Sequence, residues 1–288
     1  MRPSSIILPV TLIALGMVAT QIGASLAKGL FPAVGASGAT ALRLTLAALV
    51  LLALFRPWRH KLDARQWRAV LLYGAAMGAM NLLFYGAIAR IPLGIAVALE
   101  FTGPLAVALA GSRKPLDFVW IAMALLGFVA LLPFGKMSGA LDPFGIALAL
   151  ATGICWAGYI VFGQRAGTGG GPHIAALGVG LAAIIALPFG IAEAGMALID
   201  PAILPIALGV ALLSSAIPYT LDMIALPHIP TRLFSILASA HPGLAAIAGF
   251  IILSERLSPS QIAGIACIVL ASIGGTATIA RSQSPPIA

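Results

Sequence analysis

The chain is a succession of long apolar runs, interrupted by short clusters of charge, glycine or proline. The runs lie at about 6–27, 36–55, 69–89, 94–112, 118–134, 144–163, 174–192, 203–226, 231–253 and 261–280. Each approaches the roughly 20 residues with which an α-helix crosses a hydrocarbon layer of about 30 Å. Leu, Ala, Gly and Ile fill the runs without alternation at period two, so they predict helices and not the strands of a membrane barrel. The pattern therefore predicts an all-α integral membrane protein with about ten transmembrane helices.

Composition narrows the class. Hydrophobic residues make up 61% of the 288 and charged residues only 8%, against roughly a quarter charged in soluble domains. The mean hydropathy is +1.09. The net charge of +8 does not mark a nucleic-acid face, because the basic residues sort by connector. With the N-terminus placed in the cytoplasm, the inner side takes Arg2, Arg56, Arg59, Lys61, Arg65, Arg68, Arg113, Lys114, Arg165, Arg232 and Arg281. The outer side takes Lys28, Arg90, Lys136 and Arg256, and Arg43 falls within a span. This bias predicts that both termini are cytoplasmic. Cys155 and Cys267 fall within spans, where they read as small apolar fillers with no disulfide expected. Arg2, the following apolar run and "GASLA" at 23–27 imitate a signal peptide, but the run is long enough to span and is expected to be retained.

The chain also repeats itself. "AIARIPLGIAVALEFTGPLAVALAG" (87–111) aligns without gaps on "ALPHIPTRLFSILASAHPGLAAIAG" (225–249). Pro92 meets Pro230, Pro104 meets Pro242, Gly111 meets Gly249 and, further on, Asp117 meets Glu255. A duplicated unit of about five helices enters the membrane inverted in its second copy, an arrangement common among transporters. The expected division is a first repeat at 1–134, a linker at 135–143, an inverted second repeat at 144–282 and a tail at 283–288. The glycine-rich "RAGTGGGPH" (165–173) lacks the Lys-Ser/Thr of a phosphate-binding loop and reads as a turn.

Two five-helix halves with a P-x11-P pattern resemble the drug/metabolite transporter superfamily, EamA type. The stretches "GASLAKGLFPAVGASGATALRL" (23–44), "PLGIAVALEFTGPLAVALAGSRKPLDFVW" (92–120), "CWAGYIVFGQRAG" (155–167) and "IPYTLDMIAL" (217–226) resemble, within it, the bacterial threonine/homoserine exporters. The resemblance implies an inner-membrane exporter of small amino acids driven by proton exchange. Same-fold export of aromatic amino acids or a wider range of metabolites is the alternative it leaves open. His241 stands where many members of the superfamily carry Glu, a departure from the pattern.

The polar residues inside the runs are the candidate site. A charge near mid-bilayer costs about 2.5–3.5 kcal/mol on insertion scales. Gln21, Arg43, Asn81 and Glu100 lie on four different runs, each about 10 Å from the same end at about 1.5 Å per residue, and are expected to converge inside the bundle. A zwitterionic amino acid needs both signs nearby. Arg43 offers a fork for a carboxylate, Glu100 an acceptor for an ammonium or the coupling proton, and Gln21, Asn81 and Tyr85 partners for a side-chain hydroxyl. A purely structural Arg43–Glu100 pair is the competing reading. Pro104 and Pro242 mark symmetry-related weak points suited to gating, although proline is also ordinary in membrane helices. The carbonyl freed near position 100 is expected to line a cavity. His241 is a proton-relay candidate or a neutral packed histidine. Asp222 reads as a gate or a packing contact. Trp156, Tyr159 and Tyr219 line the pathway or anchor at an interface. Ser239 joins the substrate-binding set, although it and Ser235 can instead bond back to their own helix. No catalytic or metal-binding motif appears, so no enzyme activity and no cofactor are expected. The expected partners are the amino-acid substrate, protons and the lipid bilayer, with no nucleic acid and no required protein partner.

Overall fold

The computed structural model describes residues 4–110, 115–131, 141–167, 171–225, 241–254 and 256–282. No strand occurs among the described residues. The α-helices are α1 (Ser4–Lys28), α2 (Phe31–Phe55), α3 (Ala64–Ile88), α4 (Leu93–Glu100), α5 (Thr102–Ala110), α6 (Pro115–Leu131), α7 (Pro143–Gly167) and α8 (Gly171–Ala194). They continue with α9 (Leu204–Ala211), α10 (Ile217–Ala225), α11 (His241–Leu253) and α12 (Pro259–Ser282). A π-helical turn, Leu212–Ala216, joins α9 to α10. Among the described residues six helical stretches are long and apolar enough to cross a membrane: Leu8–Lys28, Phe31–Phe55, Ala64–Ile88, Pro143–Gly163, Gly171–Ile199 and Leu204–Asp222. Shorter apolar helices occupy Leu93–Ala106, Phe118–Gly127, His241–Leu253 and Pro259–Ala271.

The helix ends follow local chemistry. Asp63 accepts from Gln66 N while Gln66 Oε1 accepts from Asp63 N, a reciprocal capping box that starts α3. Arg56 closes α2 in the left-handed region, and Pro57 follows where the helix cannot continue. Between the halves of the chain, Arg90 pairs with Asp142 at 3.4 Å on a half-exposed surface, which contributes at most about 1 kcal/mol.

Small residues set how closely the helices approach. In lipid no hydrophobic drive brings helices together, so close backbone packing supplies much of the association. Helix α2 lies along α8 with Gly190 against Ala41 and Gly38 against Ala194. The fully buried Tyr73 of α3 nests on Gly178 of α8, where any Cβ would strike its ring. Among the described residues two large apolar cores and two small ones result. One large core gathers Ile88, Ile91, Leu93, Ile95 and Leu99 around the start of α4. The other large core gathers Leu44, Leu51, Tyr73, Met77 and Val179 between α2, α3 and α8.

One glycine is demanded by its backbone. Gly35 has φ 70° and ψ 179° and kinks α2. This conformation is essentially reserved for glycine. A Cβ there would also overlap the Glu193 carboxylate, which accepts a 2.6 Å bond from Ser37 N and so caps the main stretch of α2 from across the bundle. Gly35→Ala is expected to cost about 1–3 kcal/mol and to release that cap, read as a lowered thermal unfolding midpoint in detergent. Glu193→Gln, which keeps a neutral acceptor, is expected to cost less.

Candidate functional site

The site begins with a cation that has no anion. Arg43, on the straight part of α2, is 4% exposed. Its Nη1 donates to Ser214 O at 2.8 Å, Ser214 Oγ at 3.2 Å and Ser215 Oγ at 2.7 Å. Its Nη2 donates to Asn81 Oδ1 of α3. The guanidinium carbon sits 4.7 Å from the Tyr85 ring centroid, a cation–π contact. Asn81 is aimed by its own helix, because its Nδ2 donates to Met77 O at 2.7 Å and so turns Oδ1 toward Arg43. All these partners are neutral. No ion pair joins Arg43 to a carboxylate among the described residues, Glu100 included. Arg43 Nε and the Tyr85 hydroxyl are buried without a hydrogen-bond partner among the described residues.

The π-turn explains how two serines reach Arg43. A π-turn widens the helix by one residue and disturbs the backbone ladder. Ser214 Oγ donates to Val210 O at 2.6 Å, and the Ser214 carbonyl turns to Arg43. Gly23 of α1 makes room for the turn, since a Cβ there would stand 2.6 Å from Ser214 N.

A second polar group lies on α1, α7 and α11. The Gln21 amide donates to His241 Nδ1 at 3.0 Å, so Nδ1 is the acceptor and the ring proton resides on Nε2. The Trp156 ring stands edge-on to His241, with centroids 5.9 Å apart, and to Phe101 at 5.6 Å. Phe101 directly follows Glu100, the last residue of α4. The half-buried Glu100 makes no ion pair among the described residues.

Of the residues singled out from the sequence, Arg43, Asn81 and Tyr85 come together, as do Gln21, Trp156 and His241. Tyr159 is stacked between Tyr73 and Tyr219, at 4.9 and 6.5 Å. Asp222 lies against Gly16 of α1, within electrostatic range of Tyr159 and Tyr219. Pro242 stands in the first turn of α11 as described. Ser239 and Ser235 fall outside the described residues. Two expectations meet a different packing. Gln21 turns to His241 and not to Arg43, so the polar residues fall into two groups, and the Glu100 carbonyl, freed by Pro104, packs on α7. It faces Gly153 of α7, where a Cβ would stand 2.6 Å from it, and Gly103 abuts the Gly153 carbonyl.

Residues 143–275 match the EamA-like transporter family. Over 283 residues, 98% of this chain and 96% of the relative, the sequence is 50% identical to threonine/homoserine exporter RhtA of Escherichia coli (strain K12). The chain belongs to the EamA-like transporter family. Over 274 residues, 95% of this chain and 93% of the relative, it is 53% identical to threonine/homoserine exporter RhtA of Salmonella typhimurium (strain LT2). A protein of known crystal structure aligns with TM-score 0.63 and 22% identity, over 96% of this chain and 98% of that one, a likeness that shows the fold alone.

Two site residues of this EamA-like transporter escape a reading of its sequence. Ser214 and Ser215 look like ordinary small residues of an apolar run, and nothing local announces the π-turn. Their one signal is adjacency: two neighbouring hydroxyls in a run without charge until Asp222.

Proposed function

We propose that this EamA-like transporter is an inner-membrane secondary exporter of small amino acids, threonine and homoserine first. Its ten spans would form two inverted five-helix units, with both termini cytoplasmic, and proton exchange would drive alternating access. One observation carries the reading: a buried guanidinium held only by neutral groups, with Nε and the Tyr85 hydroxyl unspent. A buried charge without a counter-charge is costly, and a planar carboxylate matches the fork that relieves it. The substrate α-carboxylate supplies that anion. Glu100, which directly precedes the Phe101 that packs on Trp156, receives the ammonium or the coupling proton. The names of the relatives support threonine and homoserine as cargo. Two polar links, Arg43 to Ser214 and Gln21 to His241, join the chain before residue 134 to the chain after 143. They suit a site shared by two moving halves.

The decisive experiment is counterflow in proteoliposomes, with labelled threonine and a panel of unlabelled competitors. Threonine and homoserine should compete, whereas amines and carboxylic acids lacking the other charge should not. Competition confined to aromatic amino acids would replace the proposed cargo. Glu100→Gln is expected to abolish threonine movement driven by a pH gradient while counterflow persists at a reduced rate. Full pH-driven activity in that variant would remove Glu100 from coupling.

A further inference from the structure

Away from the transport site, where α2 ends and α3 and α8 begin, the chain gathers its densest charge. Arg56, Arg59, Lys61, Arg65 and Arg68 are all exposed within thirteen residues. The acid among them, the exposed Asp63, accepts the Gln66 N–H that caps α3. Two tryptophans flank the group, Trp58 at 67% and Trp67 at 43% exposure. Tryptophans of this kind sit at the headgroup level of a bilayer, where one side of the ring is apolar and the other wet.

A cavity of 110 Å³ opens beneath this rim, lined by His60, Lys61, Gln66 and His173 over a floor of Leu62 and Ile174. None of its lining residues is acidic. Its shape is fixed by bonds that leave Lys61 and His60 uncommitted among the described residues. Gln66 is held in the capping box. His173 Nδ1 donates to Phe55 O at 2.9 Å, tying the start of α8 to the end of α2. The His60 ring lies over His173 with centroids 3.7 Å apart. The volume is several times the roughly 30 Å³ share of one water, room for a tetrahedral phosphate.

We propose that this cavity seats the phosphate of an anionic phospholipid headgroup from the adjoining leaflet. Lys61 and His60 meet the phosphate, Arg56 and Arg59 border it, and Trp58 and Trp67 set the depth of the rim. Three features select a lipid over a soluble anion: the exposed tryptophans, the apolar floor, and five basic residues against the one acid, Asp63, with no acid in the cavity lining. Basic residues next to a membrane-spanning helix favour anionic lipid in just this way.

The test is native mass spectrometry of the full chain released from mixed micelles of phosphatidylglycerol and phosphatidylcholine. The double variant His60→Ala/Lys61→Ala is expected to retain about tenfold less phosphatidylglycerol than the parent, with phosphatidylcholine unchanged. Lys61→Gln alone should give an intermediate loss. Arg256→Ala removes an exposed charge elsewhere and should change nothing. Equal phosphatidylglycerol retention in parent and double variant would overturn the proposal. So would an equal loss in Arg256→Ala, which would mean diffuse attraction. Displacement by inorganic phosphate at matched concentration would make this a soluble-anion site and also overturn it. Both positions are exposed, so an unchanged unfolding midpoint is expected, and a failure here leaves the reading of Arg43 untouched.

Discussion

Arg43→Lys is expected to lower threonine counterflow about a hundredfold while the protein still inserts and folds. The charge survives this change but the fork does not. Arginine reaches Ser214 and Ser215 through one nitrogen and Asn81 through the other, while its plane covers the Tyr85 ring. A lysine ammonium is a compact point charge, able to satisfy one side of that space and not both. Hydrogen bonds to charged groups contribute about 1.5–3 kcal/mol each, and a hundredfold loss corresponds to about 2.7 kcal/mol. Asn81→Ala should be milder, because the Ser214 and Ser215 contacts remain. Counterflow in Arg43→Lys at the parent rate and affinity would remove the guanidinium from substrate recognition.

Gly103→Ala is expected to damage both folding and export. Its Cβ would run into the Gly153 carbonyl, and the reciprocal Cβ on Gly153 would crowd the Glu100 carbonyl. Both obstacles are backbone, so no side chain can swing aside. Overpacking of this kind costs about 1–3 kcal/mol, and the helix carrying Glu100 must lift from α7 to relieve it. The result should be a lower unfolding midpoint together with loss of pH-driven export. Gly209→Ala is the control. Nothing lies within 4 Å of its added carbon, and alanine is the better helix former by about 1 kcal/mol, so its midpoint should hold or rise. Equal midpoints for Gly103→Ala and Gly209→Ala would refute the backbone contact.

What could be read from the sequence follows from the physics of lipid. A charged or strongly polar side chain in an apolar run is costly enough to announce itself, so Arg43, Asn81 and Gln21 were legible, and each is buried. Run lengths placed the helices, and α2, α3, α7 and α8 each extend a few residues past the apolar stretch that marks them. What was not legible depends on pairing across the chain. The expectation of one convergent group gave way to two, because Gln21 turns to His241 and Arg43 to the π-turn. Serine is cheap in a membrane helix and leaves no hydropathy mark, so Ser214 and Ser215 stayed hidden. The carbonyl freed by Pro104 was expected to face open space. Gly153 looked like a filler, yet its missing side chain lets α7 close that space.

The Arg43 bonds to Ser214 and Ser215 bridge residues 171 and 172 positions apart. If the carrier rocks its halves as proposed, parting these two ends without cargo would strand a bare guanidinium in oil. Under the proposed mechanism slippage without cargo would be suppressed, the empty molecule acting as its own latch until a carboxylate opens it.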